Sequence, residues 1–325
     1  MPDTLLEVSG VRKTFRVARN RLTALDGVDL RIGRGETVGL VGESGCGKST
    51  LARVLMLLER PDEGTVSFAG VDPFTLRGKE LLAWRRRVQM VFQDPFASLN
   101  ARMTAAELIG EPWRTHRDVQ PTAAARAARV RELLDLVGLR AGDAERYPNE
   151  FSGGQRQRLG IARALALEPE LIICDEPVSA LDLSVQAQVL NLLAELQERL
   201  GVSYLFISHD LSVVRHVADR VSVMYLGKVI EHGPAEAVFD QPLHPYTAAL
   251  MSAAPSLDVS GSARPERILL QGELPSPLNP PSGCRFRTRC WQATDRCAAE
   301  APPVVSREAH EGLCHFPLAA AAASA

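Results

Sequence analysis

An eight-residue motif near the N-terminal end constrains this sequence more than any other feature. Residues 42–49 read Gly-Glu-Ser-Gly-Cys-Gly-Lys-Ser, which fits the pattern G-x-x-x-x-G-K-[ST]. The apolar run ETVGLVG leads into the motif, and the helical pattern STLARVLMLLE follows it. A phosphate-binding loop needs a strand before it and a helix after it, whereas an ordinary Gly-rich turn needs neither. The sequence therefore predicts a nucleotide phosphate site on an α/β fold.

The residue types in this motif suit a nucleotide. Glycines let backbone N–H groups converge on a phosphate at the start of a helix. Lys48 can reach the β- and γ-phosphates, and Ser49 can offer its hydroxyl to Mg²⁺. The predicted ATP-binding residues of this stretch are Gly42, Glu43, Ser44, Gly45, Cys46, Gly47, Lys48, Ser49 and Thr50.

Two carboxylates end the apolar run LIICDE at residues 171–176. Such a run predicts a buried strand, and ligands of open α/β folds bind at the carboxyl edge of the sheet. We expect Asp175 to face Mg²⁺ and Glu176, one residue further, to act as the general base that polarises an attacking water. The pattern predicts ATP hydrolysis, the alternative being two surface acids at a strand end.

Short β-branched runs alternate with helical patterns along most of the chain, which predicts a mainly parallel sheet. The runs are LLEVSGV, ETVGLVG, TVSFAG, RVQMVF, ELIICDEP, SYLFISHD and RVSVMYLGKVI. Apolar residues at helical spacing predict a helix from Ala123 to Leu139, near whose end Gly138 stands. After about Gly233 an Ala-, Pro- and Cys-rich stretch breaks the alternation, and an Ala-rich, low-complexity tail follows Pro317. We therefore predict domains at 1–234 and 235–325, with an inserted helical lobe at about 94–160.

Charge and hydropathy exclude several classes of protein. The formal net charge of the 325 residues is −2, and Lys and Arg are scattered among Asp and Glu, so no footprint for a nucleic-acid backbone is visible. No stretch approaches the roughly 18 uncharged apolar residues that span a bilayer. We expect a soluble, cytosolic chain that does not bind nucleic acid.

The segment Phe151-Ser-Gly-Gly-Gln155 resembles the signature sequence of ATP-binding-cassette (ABC) proteins. It precedes the helical run QRQRLGIARALAL, so backbone N–H groups and a positive helix end could face a phosphate. On its own the segment would more often be a helix-capping turn. The resemblance implies that four residues contact the ATP of the opposite subunit, namely Ser152, Gly153, Gly154 and Gln155.

Further elements match the ABC family in sequence order. Gln93 resembles the Q-loop residue, which contacts Mg²⁺ together with Ser49 and Asp175. His209 resembles the switch histidine, and Phe15 resembles the aromatic residue that stacks on adenine, although either could be structural. The segment that resembles the D-loop comprises Ser179, Ala180, Leu181 and Asp182.

The resemblance implies a P-loop NTPase fold: a RecA-like core with a mainly parallel sheet, an antiparallel β subdomain and the inserted helical lobe. Two such domains would pack head to tail, with each ATP held between one phosphate loop and the opposite signature. Two transmembrane permease subunits would be partners at the cytoplasmic face of the membrane. They would dock on the surface between Gln93 and Trp113, where we expect charge reversal at Glu107 to uncouple transport.

The C-terminal stretch narrows the subfamily. His244-Pro-Tyr-Thr247 and the run GELPSPLNPPSGCRFRTRC resemble the extension of oligopeptide and dipeptide importer ATPases, in particular the second of their two paired ATPases. This implies import of di- or oligopeptides, an extracytoplasmic peptide-binding protein and a second homologous ATPase subunit, with a homodimer left open. A nickel-type importer and a non-transport ABC ATPase are the alternatives.

Four cysteines cluster in the extension, with five, six and sixteen residues between successive members. Four thiolates suit an iron–sulfur cluster or tetrahedral zinc, and the spacing does not choose between them. The resemblance implies a [4Fe–4S] cluster, although Trp291 stands where the family usually has Pro, and four reduced thiols in a packed loop stay open. The cysteines are Cys284, Cys290, Cys297 and Cys314; the separate Cys46 and Cys174 are predicted to be small packed thiols.

Overall fold

The computed structural model describes residues 3–18, 20–94, 98–253 and 267–319. Two sequence predictions therefore lie partly outside the described residues. Residues 95–97 belong to the segment that follows Gln93, and residues 320–325 belong to the Ala-rich tail.

Strands and helices alternate through most of the described chain. The strands are β1 Thr4–Val17, β2 Asn20–Gly33, β3 Thr37–Val41, β4 Glu63–Phe68, β5 Val88–Val91, β6 Leu171–Asp175, β7 Ser203–Ser208, β8 Arg220–Tyr225, β9 Lys228–Pro234, β10 Val304–Arg307 and β11 His310–Leu313. The helices are α1 Lys48–Leu55, α2 Gly78–Arg87, α3 Ala105–Gly110, α4 Pro112–Thr115, α5 Ala123–Leu136, α6 Gly153–Leu165, α7 Leu183–Leu200, α8 Leu211–Val217, α9 Ala235–Asp240, α10 Pro245–Ala253 and α11 Asp295–Ala299.

The chain divides into two compact units. The first comprises Met1–Leu5, Ile32–Glu36 and Phe68–Ile207, and the second comprises Leu6–Arg31, Thr37–Ser67 and Ser208–Ala325. Each unit has its own set of buried apolar side chains, so each is described by itself.

Parallel strands and the helical lobe make up most of the first unit. Strand β6 lies between β5 and β7 and pairs in parallel with both. In the lobe, Trp113 is completely buried and its Nε1–H donates to the Ala166 carbonyl at 2.9 Å. The lobe is therefore packed around an aromatic side chain whose one polar atom is satisfied.

Helix α5 confirms the expected helical pattern and shows how it ends. The Thr122 hydroxyl accepts a hydrogen bond from Ala125 N at the N-terminal end. At the other end Gly138 has φ 69°, and Leu139 N donates to the Leu134 carbonyl at 2.8 Å. The helix ends at Leu136, three residues before the predicted end, because this glycine turn replaces the last helical hydrogen bonds.

The second unit contains strands of a mixed sheet, with both parallel and antiparallel pairs. Strand β3 pairs in parallel with β8, and β9 and β11 follow β8 in antiparallel order, with β10 outermost. A separate three-stranded sheet has the order β2-β1-β4 and belongs mostly to this unit.

Three strands were absent from the sequence prediction: β2, β10 and β11. Strand β2 reads NRLTALDGVDLRIG, in which Asp and Gly interrupt the apolar pattern. Strands β10 and β11 have four residues each and stand in the Cys-rich extension. They form because β11 pairs with β9 at Glu311↔His232 and Gly312↔Glu231, an interaction that local sequence does not reveal.

A buried carboxylate fixes the extension to this sheet. Glu231, on β9, is 1% exposed and accepts hydrogen bonds from Leu243 N at 2.6 Å and His244 N at 2.9 Å. Its Oε1 also lies 2.7 Å from His310 Nε2. A buried carboxylate is tolerated only when its oxygens have partners, and here the partners come from the extension.

Among the described helices, none is long and apolar enough to cross a membrane.

Candidate nucleotide and hydrolysis site

The phosphate loop runs from the end of β3 to the start of α1, as the motif predicts. Gly42 and Gly47 have φ values of 153° and 116°, which side chains disfavour. A Cβ at Gly42 would lie 2.1 Å from the Met224 carbonyl oxygen, and one at Gly47 would lie 2.5 Å from the Ala24 carbonyl oxygen. Both positions therefore require glycine for conformation and for space.

Lys48 lies inside this loop and is 6% exposed. Its Nζ donates to the carbonyl oxygens of Gly42 at 2.7 Å and Glu43 at 3.1 Å. The next residue, Ser49, is exposed, as are Ser44 and Gly45, whereas Thr50 is half-buried. The loop thus holds its ammonium group close to its own backbone and presents small residues at the surface.

The turn between β8 and β9 supports the loop from the same unit. Leu226 and Gly227 form this turn, with φ values of 43° and 81°. Gly227 N donates to the Cys46 carbonyl at 2.7 Å, and Asp26 N donates to the Gly227 carbonyl at 2.8 Å. The sequence reasoning missed this contact, for which the only local signal is the Leu-Gly pair between two strands.

The two isolated cysteines are packed thiols. Cys46 is 4% exposed and Cys174 is completely buried. Burial raises the pKa of the Cys46 thiol and that of the Cys174 thiol. Both thiols are therefore protonated at neutral pH, and their burial confirms the prediction that they are small packed side chains.

A hydrogen bond joins the Q-loop candidate to the candidate base in the first unit. Strands β5 and β6 are in register, with Val91 opposite Cys174, so Gln93 and Glu176 follow neighbouring strand ends. Gln93 Nε2 donates to Glu176 Oε2 at 2.8 Å. Glu176 has φ 46°, and its backbone N–H donates to the Ile207 carbonyl at 2.9 Å. A left-handed backbone at a carboxylate is a strained arrangement of the kind that clusters at functional sites.

The candidate D-loop leads directly from Glu176 into α7. The Ser179 hydroxyl donates to the Glu176 carbonyl at 3.1 Å. Gln186 Nε2 donates to the carbonyls of Val178 and Leu181, each at 3.0 Å. Ala180 and Asp182 are exposed, and Asp182 is the residue before α7. Sequence reasoning missed Gln186, which closes the loop from the first turns of the helix.

The signature segment forms a capped helix start. Gln155 N donates to the Ser152 hydroxyl at 3.3 Å, and Ser152 N donates to Gln155 Oε1 at 3.0 Å. This reciprocal pair is a capping box and begins α6. The segment thus begins a helix through a capping turn, which was the alternative given for it, and its contact with the opposite subunit's ATP stays a prediction.

Both signature glycines pack against the D-loop region of the same unit. A Cβ at Gly154 would lie 2.3 Å from Val185 Cγ1, and one at Gly153 would lie 3.3 Å from Leu181 Cδ2. Gly154 is therefore required for the close approach of α6 and α7. Because α7 follows Glu176 by only a few residues, the signature and the candidate base belong to one packed assembly.

His209 and Phe15 lie in the second unit. His209 follows β7 and is exposed, and the next residue, Asp210, begins α8 by accepting a hydrogen bond from Ser212 N at 2.9 Å. Phe15, on β1, is half-buried, with Lys13 Nζ 5.4 Å from its ring centroid. Their roles toward the γ-phosphate and adenine stay predictions.

The predicted Mg²⁺ ligands are of the type that this ion prefers. Ser49, Gln93 and Asp175 offer a hydroxyl, an amide and a carboxylate oxygen, and Mg²⁺ takes oxygen ligands while keeping several waters. Gln93 uses its amide N–H₂ on Glu176, which leaves the amide oxygen as the chemically suitable atom. Each donor is therefore of a type that suits Mg²⁺, and joint binding of one ion by the three residues stays a prediction.

The four cysteines of the extension line one pocket, together with His244 and Phe286. Burial raises the pKa of Cys284 and of Cys290, and it raises the pKa of Cys314 to about 11. Across residues 3–18, 20–94, 98–253 and 267–319, no three His, Cys, Asp or Glu side chains form a group that could hold a metal ion. The structure thus gathers the thiols around one space without shaping a single-ion site.

Two family models match the chain. The model described as ABC transporter matches residues 25–179, which include the phosphate loop, the signature and Glu176. The model described as oligopeptide/dipeptide transporter, C-terminal region, matches residues 230–297. The sequence resemblances to both groups are therefore confirmed.

Similar proteins cover nearly the whole chain. The putative oligopeptide transport ATP-binding protein YkfD of Bacillus subtilis is 55% identical over 314 residues, which are 96% of this chain and 95% of that protein. The oligopeptide transport ATP-binding protein OppF of Escherichia coli is 50% identical over 319 residues, or 95% of each chain. A solved dimeric structure of MJ0796, a bacterial ABC transporter cassette, is 32% identical with a TM-score of 0.65 and covers 71% of this chain and 99% of that chain.

The fold and these matches define the class: the chain belongs to the ATP-binding subunits of ABC transporters and is an ATP-hydrolysing enzyme. Within that class it belongs to the group whose members carry the oligopeptide/dipeptide transporter C-terminal region. The P-loop NTPase fold with a parallel sheet and an antiparallel subdomain sheet is likewise confirmed.

Proposed function

We propose that this chain powers the import of dipeptides or oligopeptides through two transmembrane permease subunits. The observation that carries the proposal is the match of residues 230–297 to the oligopeptide/dipeptide transporter C-terminal region, in a chain that also has a complete ATPase motif set. Nickel import and non-transport ATPase roles have no comparable support. A homologous second ATPase, or a second copy of this chain, and an extracytoplasmic peptide-binding protein complete the proposed system at the cytoplasmic face of the membrane.

ATP would bind at the loop Gly42–Thr50, with Phe15 beside the adenine and Lys48 at the β- and γ-phosphates. Mg²⁺, held by Ser49, Gln93 and Asp175, would neutralise phosphate charge. His209 would contact the γ-phosphate. The signature residues and the D-loop would act on the ATP of the opposite subunit, as the head-to-tail arrangement of the family implies.

Glu176 would act as the general base. Its Oε2 accepts a hydrogen bond from Gln93 Nε2, which fixes the plane of the carboxylate. A fixed carboxylate can orient one water and accept its proton as the water oxygen bonds to the γ-phosphorus. The bond from that phosphorus to the β–γ bridging oxygen breaks, and ADP leaves. ATP that bridges two subunits favours the closed dimer, and hydrolysis removes that bridge, because a ligand shifts an equilibrium only by its differential affinity.

Uptake of a labelled dipeptide, with nickel as a parallel cargo, tests the proposal in cells that carry Glu176→Gln in place of the native chain. We expect peptide uptake to be lost and nickel uptake to be unchanged. Loss of nickel uptake alone would reassign the cargo, and retention of both would contradict a transport role.

The permease would dock on the exposed part of the lobe between Gln93 and Trp113. Two residues of this segment, Trp113 and Glu107, are poor probes of the surface. Trp113 is completely buried, and Glu107 accepts a hydrogen bond from Thr104 N at 2.9 Å in a capping box that begins α3. Charge reversal at Glu107 would therefore also weaken the lobe.

Arg102 is a sharper probe because it is exposed and lies between the same limits. We expect Arg102→Glu to reduce uptake several-fold while ATP binding by the purified chain is unchanged. The matched control is Arg131→Glu, on the exposed face of α5. Equal uptake in the two variants would contradict this docking surface.

We propose further that the extension, from about residue 235, holds a [4Fe–4S] cluster at Cys284, Cys290, Cys297 and Cys314. Four thiols that line one pocket, together with the family resemblance of this extension, support this, with zinc or four packed thiols as the alternatives. Such a cluster would supply bound iron and sulfide, and no step of ATP hydrolysis requires it. Anaerobic iron and sulfide analysis of the full chain, with Cys290→Ser as control, would return neither element if the thiols are only packed.

A further inference from the structure

Within the second unit, the C-terminal extension contacts the phosphate loop through an ion pair and a hydrogen bond. Glu43, the second residue of the loop motif, forms a two-pronged ion pair with Arg289, with distances of 2.7 Å from Nη1 to Oε2 and 3.0 Å from Nη2 to Oε1. The side chain of Arg289 is only 10% exposed, and that of Glu43 is 26% exposed. Parallel N–H···O bonds of this kind fix both the position and the orientation of the carboxylate.

The backbone of the same loop residue is also held. Glu43 N donates to the Tyr246 hydroxyl at 2.9 Å. Tyr246, on α10, is completely buried, and its ring packs against Tyr225 and Phe286, with centroid separations of 4.7 Å and 5.4 Å. The hydroxyl that meets the loop is therefore carried on a rigid aromatic cluster rather than on a mobile side chain.

A second arginine of the extension contacts the turn between β8 and β9, which in turn contacts the loop. Arg285 donates to the Leu226 carbonyl and forms an ion pair with Asp26. Leu226 precedes Gly227, whose N–H holds the Cys46 carbonyl of the loop. Between the two arginines lies Phe286, which is 1% exposed. One short segment of the extension thus reaches the loop by two routes.

We propose that the extension positions the phosphate loop for ATP through Arg289, Tyr246 and Arg285. The inference rests on the proposed nucleotide site and is independent of the cargo. A loop with positive φ at Gly42, Gly45 and Gly47 has many accessible backbone conformations, and only some of them aim its N–H groups at a phosphate. Arg289 and Tyr246 restrict that choice before ATP arrives, so they are positioning residues and touch no substrate.

The consequence is a specific kinetic signature. When only a fraction of loops is competent to bind, the apparent dissociation constant rises by the inverse of that fraction. Once ATP is bound, its contacts reorder the loop, so the hydrolysis step is unaffected. Loss of a positioning residue should therefore raise KM and leave kcat unchanged, as for any uniform loss of binding.

Binding of mant-ATP with Mg²⁺ to the full-length chain, together with steady-state ATPase kinetics, tests this. We expect Arg289→Gln to raise the mant-ATP Kd and the KM about three- to tenfold, with kcat within about twofold of the native value. Arg289→Lys should recover part of the affinity. Arg287→Gln is the matched control, because Arg287 lies in the same segment and its side chain donates to Ser282.

Tyr246→Phe keeps the test valid if Arg289→Gln does not fold, since it removes a single oxygen atom and should raise Kd about two- to fivefold. An unchanged Kd in both Arg289→Gln and Tyr246→Phe, an equal rise in Arg287→Gln, or a fall in kcat with no rise in KM would overturn the positioning role. A native chain that fails to bind mant-ATP would instead contradict the proposed nucleotide site.

Discussion

Glu43 in the phosphate loop is held by Tyr246 and Arg289, which stand 203 and 246 residues further along the chain. Glu176 at the hydrolysis edge is held differently: its neighbours Ser179 and Gln186 follow within ten residues, and Gln93 reaches it from the adjacent strand end. The phosphate loop is thus supported by distant, buried side chains. The hydrolysis edge is supported mostly by its own segment, and several of its residues are exposed.

The difference matches what the two regions have to do. A loop that must present many backbone N–H groups at once gains from being ordered before the ligand arrives, because less conformational entropy is lost on binding. In the proposed head-to-tail dimer the hydrolysis edge would meet another subunit, so its surface has to stay accessible.

Removal of the candidate base, Glu176, should have the largest effect among the tests of this comparison. We expect Glu176→Gln to lower kcat for ATP by at least about 100-fold, because general-base catalysis contributes 10²–10⁴-fold. Binding of mant-ATP should persist, since the phosphate loop is unchanged, and the ATP-bound variant should elute as a dimer in size-exclusion chromatography. Glu195→Gln, on the exposed side of α7, is the control. Hydrolysis near the native rate would refute the role of Glu176.

The packing between the signature and the D-loop gives a smaller effect. We expect Gly154→Ala to lower the free energy of unfolding by about 1–3 kcal/mol, because the new Cβ would overlap Val185 Cγ1. Gly160→Ala in the same helix is the control, since no atom lies within 4 Å of its Cβ position. Denaturant unfolding should show that Val185→Ala restores much of the loss. If Val185→Ala restores no stability to the Gly154→Ala variant, the overlap with Val185 is not the cause of the lost stability.

The smallest expected effect is a pH dependence of stability that comes from the buried extension and not from the exposed hydrolysis edge. Burial lowers the pKa of His244 to about 4, against an opposing contribution from the Glu231 carboxylate. The folded chain therefore favours neutral His244, so stability is complete above the ordinary pKa of about 6.5 and is lost as the pH falls from there toward 4. At pH 5.5 we expect a loss of about 1 kcal/mol relative to pH 7.5.

His244→Asn provides the control for this pH effect. The Asn oxygen can replace His244 Nδ1, which accepts a hydrogen bond from Tyr246 N at 3.0 Å, but Asn does not titrate. Thermal unfolding at the two pH values should show a smaller difference for the variant than for the native chain. An identical difference would assign the pH dependence to other groups.

Sequence predicted well what depends on local chemistry. The phosphate loop, the carboxylates at the end of β6 and the helix at the signature segment each follow from a short run of residues and its flanks. Strand β2 was missed because Asp and Gly interrupt its pattern, and β10 and β11 were missed because their pairing with β9 stabilises them. The hydrogen bond from Gln93 to Glu176 spans 83 residues, so no window of sequence contains it.

The sequence by itself determined the class of chemistry, since glycines, Lys48, Asp175 and Glu176 suit phosphate binding and water activation wherever such flanks occur. Only the tertiary structure decided why Gly154 must be glycine, through Val185, and which side chains hold Glu43. The physical reason is that motif chemistry depends on residue type at short range, whereas packing and ion pairs depend on which distant segments the fold brings within a few ångströms.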